Sequence, residues 1–191
     1  MTNQWSSRRV VRGLSQKTAR ACCSCGPQLT SMLSPEIKLK IKPIRTGEDI
    51  ENVRMLFREY AKTLGFDLSF QGFDEEVDSL PGQYAPPEGS LLIAAADNDI
   101  LGCVALRKIE GGICEMKRLF VRSEHRGKGI GRKLAEAVIL AAQDIGYTRM
   151  RLDSISSMNE AINLYRSLGF RSTKPYCYNP MPGAVFLELD L

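Results

Sequence analysis

With 191 residues, 43% of them hydrophobic and 25% charged, the chain is long enough to bury a core as one domain. Its mixture is that of an ordinary globular protein, not a fibrous or low-complexity one. The net charge of +4 is concentrated: residues 1–35 hold Arg8, Arg9, Arg12, Lys17 and Arg20 with no acid, leaving 21 basic against 22 acidic residues over 36–191. A nearly neutral body argues against a broad nucleic-acid surface, and no apolar run has the length of a membrane span or the form of a secretory signal.

The Ser- and Arg-rich, acid-free start is expected to be an extension, residues 1–36, ahead of a folded domain at 37–191. Its composition fits an organelle transit peptide or a disordered segment, and translation from Met32 is a third reading. Cys22 and Cys25 have metal-ligand spacing, yet no second pair follows and the single histidine is His125, so no metal is expected. Cys103, Cys114 and Cys177 stand in strand-like stretches and are expected to be buried free thiols. That usage points to a reducing compartment, the cytoplasm, or an organelle if the first residues are a transit peptide.

From Lys38, the alternation in KLKIKPI predicts a strand that Pro43 confines to an edge or a bulge. Thr46 and Asp49 have capping-box spacing before a helical stripe of Ile50, Val53, Leu56, Phe57, Tyr60 and Leu64. A short helix is expected over Asp74 to Leu80, then a Pro-rich loop from Gln83 to Gly89. Leu91 to Ala96 and Ile100 to Ile109 predict a hairpin about Asp97-Asn98-Asp99, and Ile113 to Val121 a further strand. Ile130, Leu134, Val138, Ala141 and Ile145 predict a long helix ended by Gly146. Thr148 to Asp153 is expected as strand, Asn159 to Leu168 as helix, and Ala184 to Leu191 as the last strand. The order is β-α-α-β-β-β-α-β-α-β, with antiparallel hairpins first and one parallel crossover later.

The stretch from Cys114 to Gly131, CEMKRLFVRSEHRGKGIG, is the most informative in the chain. A strand runs into a loop with glycines at alternate positions, and a helix follows at once. Glycines there let successive N–H groups converge into a nest for anionic oxygens, beside the positive end of the helix. Arg126 and Lys128 add full charges. The combination suits a pyrophosphate, as in nucleotide cofactors. A dinucleotide-binding domain would also place glycines here, with Asp153 about 20 residues on. GKGIG is not G-x-G-x-x-G, however, and hairpins precede the loop where repeated βαβ units belong.

From about Leu39 to Leu191 the chain resembles the GNAT superfamily of acetyl-CoA-dependent N-acetyltransferases. Arg126-Gly127-Lys128-Gly129-Ile130-Gly131 matches that family's Arg/Gln-x-x-Gly-x-Gly/Ala signature, and the Asn159, Tyr165, Gly169-Phe170 segment matches as well. Ser123 departs from it, since many members have Pro there, which bears on the loop's stiffness. The resemblance implies an α/β (α+β) fold with a mixed, centrally splayed sheet and helices on both faces, and acetyl-CoA as cosubstrate. It implies pyrophosphate on residues 126–131, and pantetheine along Leu119, Phe120 and Val121, hydrogen-bonded by Asn159. Otherwise Asn159 is simply a helix cap.

An amine with a pKa of about 10.4 is neutral in roughly one molecule in 2,500 at pH 7, so attack on a thioester requires proton removal. The departing thiolate gains from an acid beside it. Tyr165, at the position of the family's tyrosine, is the expected acid, with a core aromatic as its plain alternative. Glu115 is the expected base, as in histone-type members with a glutamate on this strand. Its alternative is an ion pair with Lys117 or Arg118. Strand alternation would turn Glu115, Lys117, Leu119 and Val121 to one side. His125 is expected at solvent or phosphate. The stretch GFDLSFQGFDEEVDSLPGQYAPPEG names no substrate beyond a small-molecule or peptide amine. No nucleic-acid or membrane partner is expected, a homodimer is possible, and a binding-only acyl-CoA module is the other reading.

Overall fold

A seven-stranded sheet organises the domain in the computed structural model, which describes residues 38–97 and 99–191. The strands are β1 (Lys40–Pro43), β2 (Ser90–Ala96), β3 (Asp99–Glu110), β4 (Ile113–Val121), β5 (Arg149–Ile155), β6 (Arg171–Ser172) and β7 (Ala184–Asp190). They lie in the order β1-β2-β3-β4-β5-β7-β6. Every neighbouring pair is antiparallel except β4 with β5, joined by the crossover helix α3 (Ile130–Ile145). Pro43, with no N–H to donate, sits on the edge strand. The two-residue β6 is an addition to the expected elements, too short to leave a pattern in the sequence. The N-terminal extension, with Cys22 and Cys25, lies outside the described residues.

Two apolar layers flank the sheet. Helices α1 (Gly47–Leu64) and α2 (Phe73–Asp78) cover one face with Val53, Leu56, Phe57, Phe73 and Val77. Helix α3 and α4 (Asn159–Ser167) cover the other, contributing Leu134, Ala135, Val138 and Tyr165. The stripe on α3 differs from expectation at its end: Ala142 is buried while Ile145 is 38% exposed. The 3.6-residue period carries the face from Val138 to Ala142, leaving Ile145 on the rim. Among the described residues, no helix is long and apolar enough to cross a membrane.

The capping box at α1 forms as the sequence predicts. Asp49 N–H donates to Thr46 Oγ1 at 3.1 Å, and Asp49 Oδ2 accepts from the N–H groups of Thr46 and Arg45 at 3.2 and 2.9 Å. The Arg45 N–H, with smaller help from Lys42, holds the Asp49 carboxyl down at about 2. The stabilisation is therefore complete above about pH 4, where the free carboxyl is already ionised, and is lost as pH falls through 2. Thr46→Ala is expected to cost about 1 kcal/mol, read as a lower urea midpoint at unchanged slope.

Candidate active site

The parallel pairing of β4 with β5 covers only Ile113↔Arg149, Cys114↔Met150 and Glu115↔Arg151. Beyond it the strands separate, opening a gap between residues 116–121 and 152–155. The cause is visible in β4. From Cys103↔Phe120 to Ala105↔Lys117, two steps of β3 face three of β4, so β4 carries one extra residue, and Arg118 takes φ +56° there. Such a bulge bends the strand and raises its twist. Gly102, opposite Val121, permits this approach, because a side chain there would run into the Phe120 carbonyl.

The bulge also breaks the alternation expected along β4. Cys114 and Met116 face the α3 layer, and so do Leu119 and Val121. Glu115, Lys117, Arg118 and Phe120 face the α1–α2 side, where Lys117 Nζ donates to Gln71 at 3.3 Å. Glu115 and Lys117 therefore lie on the opposite face from Leu119 and Val121, a correction that follows from the extra residue. Arg118 grips Glu76 of α2 through two bonds, Nε–Oε1 at 2.9 Å and Nη2–Oε2 at 2.5 Å, while the Tyr84 hydroxyl donates to Oε1 at 2.6 Å. Burial works to raise the Glu76 carboxyl, but the Arg118 guanidinium overrides it and holds the group below its ordinary value. This ion pair locks α2 to the bulge.

Two connected cavities occupy the gap. The outer one, about 640 Å³, is lined by Phe120, Val121, Arg126, Asn159 and Leu64 among others. The inner one, about 100 Å³, is lined by Phe70, Lys117, Asp153, Tyr165, Asn179 and further residues. Tyr60, Leu119, Ile155, Met158 and Ala161 line both and mark the junction. The gap passes through the sheet, so Tyr60 from α1 and Tyr165 from α4 meet in it from opposite faces.

At the outer end, Gly127 and Gly129 take φ +73° and +77°, values that favour glycine, and Gly129 is the N-cap of α3. No side chain caps this helix, which leaves its first N–H groups available. Gly131 is already helical. Ile130 buries its side chain in the core, leaving only its backbone to the loop. Arg126 Nε donates to the Val121 carbonyl at 3.0 Å, and Lys128 Nζ to the Glu124 carbonyl at 3.0 Å. Both cations thus hold the loop as well as charging it, and one backbone acceptor of Val121 is engaged. Asn159 is the first residue of α4 and makes no cap, its side chain standing at the outer cavity. His125 is half-buried, and its Nδ1 is buried with no hydrogen-bond partner among the described residues.

At the inner end, Tyr165 packs edge-on against Phe170 at 5.9 Å, and its hydroxyl makes no hydrogen bond among the described residues. Burial pushes this hydroxyl well above its ordinary value, so it remains protonated. Glu115 is fully buried and lines neither cavity. Its oxygens accept from Arg107 Nε at 2.5 Å and the Tyr176 hydroxyl at 2.9 Å, with Lys117 Nζ at 4.0 Å. Sequence reading missed Asp153 as a cavity residue and missed its neighbour Asn179, whose Nδ2 donates to Asp153 Oδ2 at 2.7 Å. Asp153 had signalled itself only by distance from the glycine loop, and nothing local marked Asn179.

Glu115, Asp153 and Cys177 bring ligand atoms within 4.8 Å of one another. Glu115 is spent on its ion pair, and burial pushes the Cys177 thiol up to about 11, so this set suits a network better than a cation. Cys177 lies outside any strand and is half-buried, unlike the buried Cys103 and Cys114.

A splayed mixed sheet with a glycine loop at the mouth of its gap is the architecture of an acyl-CoA transferase fold. The Acetyltransferase (GNAT) family profile matches residues 53–170. An uncharacterized N-acetyltransferase of Schizosaccharomyces pombe is 38% identical over 162 residues, covering 84% of this chain and 99% of the relative. In fold, the chain is similar to an acetyltransferase from Streptococcus agalactiae (TM-score 0.65, 20% identity, covering 80% of this chain and 98% of that one). It is likewise similar to the PaiA N-acetyltransferase of Thermoplasma acidophilum, solved with coenzyme A (TM-score 0.64, 18% identity, covering 80% and 99%). The protein belongs to the GNAT acetyltransferase family and is an acetyltransferase.

Proposed function

We propose that the protein transfers an acetyl group from acetyl-CoA to a primary amine by direct attack within the β4–β5 gap. One observation carries this reading: adjoining cavities with shared walls run from Arg126, at the start of the glycine loop, past the unpaired edge of β4, to Tyr165. The N–H groups of Gly127 to Gly131 would receive the pyrophosphate, with Arg126 and Lys128 adding charge. Leu119 and Val121 would give backbone partners to pantetheine as an added strand does, Val121 through its N–H, while Phe120, whose carbonyl faces Gly102 of β3, would offer only its side chain to the wall, and Asn159 would bond the cofactor from α4. Tyr165, protonated and at the inner end, would give its proton to the leaving sulfur. Proton removal from the ammonium falls to the carboxylates on the far side, where Glu115 stands behind Asp153.

The test is thiol release with a panel of amines, paired with mass spectrometry of the product. An N-acetylated amine formed in step with free CoA is the expected result. Tight acetyl-CoA binding with no transfer to any amine would leave a binding-only module.

A further inference from the structure

Past the last β4–β5 pair, the two strands part with opposite charges on facing positions. The pairing ends at Glu115↔Arg151, and continuing that register by two residues sets Lys117 opposite Asp153. Lys117 still pairs with Ala105 of β3 and Asp153 with Phe186 of β7, so both lie on regular strand, ahead of the extra residue in β4. Both line the inner cavity, and among the described residues no ion pair within 4.0 Å joins them. Resting on the acetyl-transfer reading above, the geometry points to an α-amino acid as the acceptor substrate, its carboxylate received by Lys117 and its ammonium turned toward Asp153.

Lys117 is the cation with donors to spare. Its side chain is 7% exposed, yet Nζ donates only to the neutral Gln71, at 3.3 Å, and stands 4.0 Å from Glu115, beyond hydrogen-bond reach. An ammonium has three donors, so two remain for a ligand. Arg118, the other cation in the cavity wall, spends its guanidinium on Glu76, and Glu115 is paired by Arg107. Asp153 accepts from the Asn179 amide and keeps further acceptor capacity. Charge at and behind the cavity balances, with Glu76, Glu115 and Asp153 against Arg107, Lys117 and Arg118.

That balance selects the substrate. A simple alkylammonium would bring an extra positive charge into a partly dry cleft, beside Lys117, and would leave the lysine donors unused. A zwitterion adds no net charge. Its carboxylate and ammonium bridge the two charges that the parting strands leave unjoined, each through a charge-assisted hydrogen bond. Gln71, Ser154 and Asn179 put neutral polar groups on the same lining, as a polar head group requires.

Transfer then runs on the α-nitrogen. The carboxylates on this side take one of its protons, and the neutral nitrogen attacks the thioester carbonyl carbon. The C–N bond forms and the C–S bond breaks as sulfur takes the Tyr165 proton. A second nitrogen proton returns to the tyrosinate, and the carboxylate passes its proton to water. Each turnover yields an N-acetyl amino acid, free CoA and one H⁺.

The test is steady-state kinetics of the full chain with acetyl-CoA and the common amino acids, each compared with its α-amide and its decarboxylated amine. The amide keeps the shape and removes the charge. Its amine is also the weaker base, so a preference for the acid over the amide cannot come from a larger supply of free amine. The best amino acid is expected to exceed both its amide and its amine in kcat/KM by roughly tenfold to a hundredfold, the size of a hydrogen bond between charged groups. Lys117→Met has an unbranched side chain of similar length and leaves Glu115 with Arg107 and Tyr176. It should lower kcat/KM for the acid by roughly that factor, mainly through KM, and bring the acid-to-amide ratio to within about threefold of unity. Acetyl-CoA affinity should stay within about twofold of native. A lysine that only supported the fold would lower acid and amide alike. An amide or plain amine used as well as the acid, or a native acid-to-amide ratio kept in Lys117→Met, would overturn the inference and leave acetyl transfer intact. If Lys117→Met does not fold, the acid-to-amide ratio of the native protein decides. Failure to acetylate any amine would overturn the acetyl-transfer reading, and this inference with it.

Discussion

Gly129→Val is expected to weaken acetyl-CoA binding by roughly a hundredfold or more while the domain still folds. The reason is backbone geometry. Gly129 sits at φ +77°, and a Cβ there would meet nothing within 4 Å, so packing does not exclude a side chain. A β-branched residue, however, avoids the left-handed region at a cost of roughly 1–2 kcal/mol and would project its methyls where phosphate oxygens approach the N-terminus of α3. That cost is small against a domain stability of about 5–15 kcal/mol, so affinity should collapse before the fold does. Gly131→Ala is the matched control. Gly131 has no positive φ, and its added Cβ would rest at 3.8 Å from both Leu164 Cδ2 and Val121 Cγ2, ordinary contact. It should bind acetyl-CoA within a few-fold of native. Calorimetry alongside thermal melts separates the outcomes, and native affinity in a folded Gly129→Val protein would remove residues 126–131 from the cofactor site.

The second large effect is on turnover. Tyr165→Phe should lower kcat by about 10²-fold, the low end for general-acid catalysis, because a thiolate is already a fair leaving group. Acetyl-CoA affinity and melting temperature should change little. The hydroxyl has no protein partner among the described residues, so its loss strands no buried donor or acceptor, and the ring keeps its contact with Phe170. Burial raises the Tyr165 pKa, so ionisation of this group should set no alkaline limb between pH 7 and 9; that limb, if present, belongs to another residue. Full turnover in Tyr165→Phe, with chemistry shown to be rate-limiting by single-turnover kinetics, would make the tyrosine a packing residue alone.

Much of the fold was legible because its signals are local. Thr46 and Asp49 are three residues apart and cap a helix whatever lies elsewhere. The glycine loop between a strand and a helix needs only neighbours in sequence to form a nest, and Gly146 ends α3 with φ +98°. The two faces of β4 were not legible. Alternation counts residues along one strand, and the extra residue at Lys117–Arg118 is defined only by pairing with β3. Reading straight through it placed Glu115 on the face of Leu119 and Val121. The structure turns it to the other side and into an ion pair with Arg107.

What the sequence by itself determined is the family: a strand–loop–helix carrying the acetyltransferase signature at 126–131, with Tyr165 on a helix downstream. These depend on short-range spacing and on intrinsic backbone preferences, which a chain carries everywhere with it. Only the tertiary structure decided which carboxylate faces the gap. Glu76, Glu115 and Asp153 are equivalent acids on paper. Folding brings Arg118 to the first and Arg107 to the second, from 42 and 8 residues away, while the third accepts a hydrogen bond from the neutral Asn179 amide. Charge pairing is settled by which elements pack together, and no local spacing encodes that.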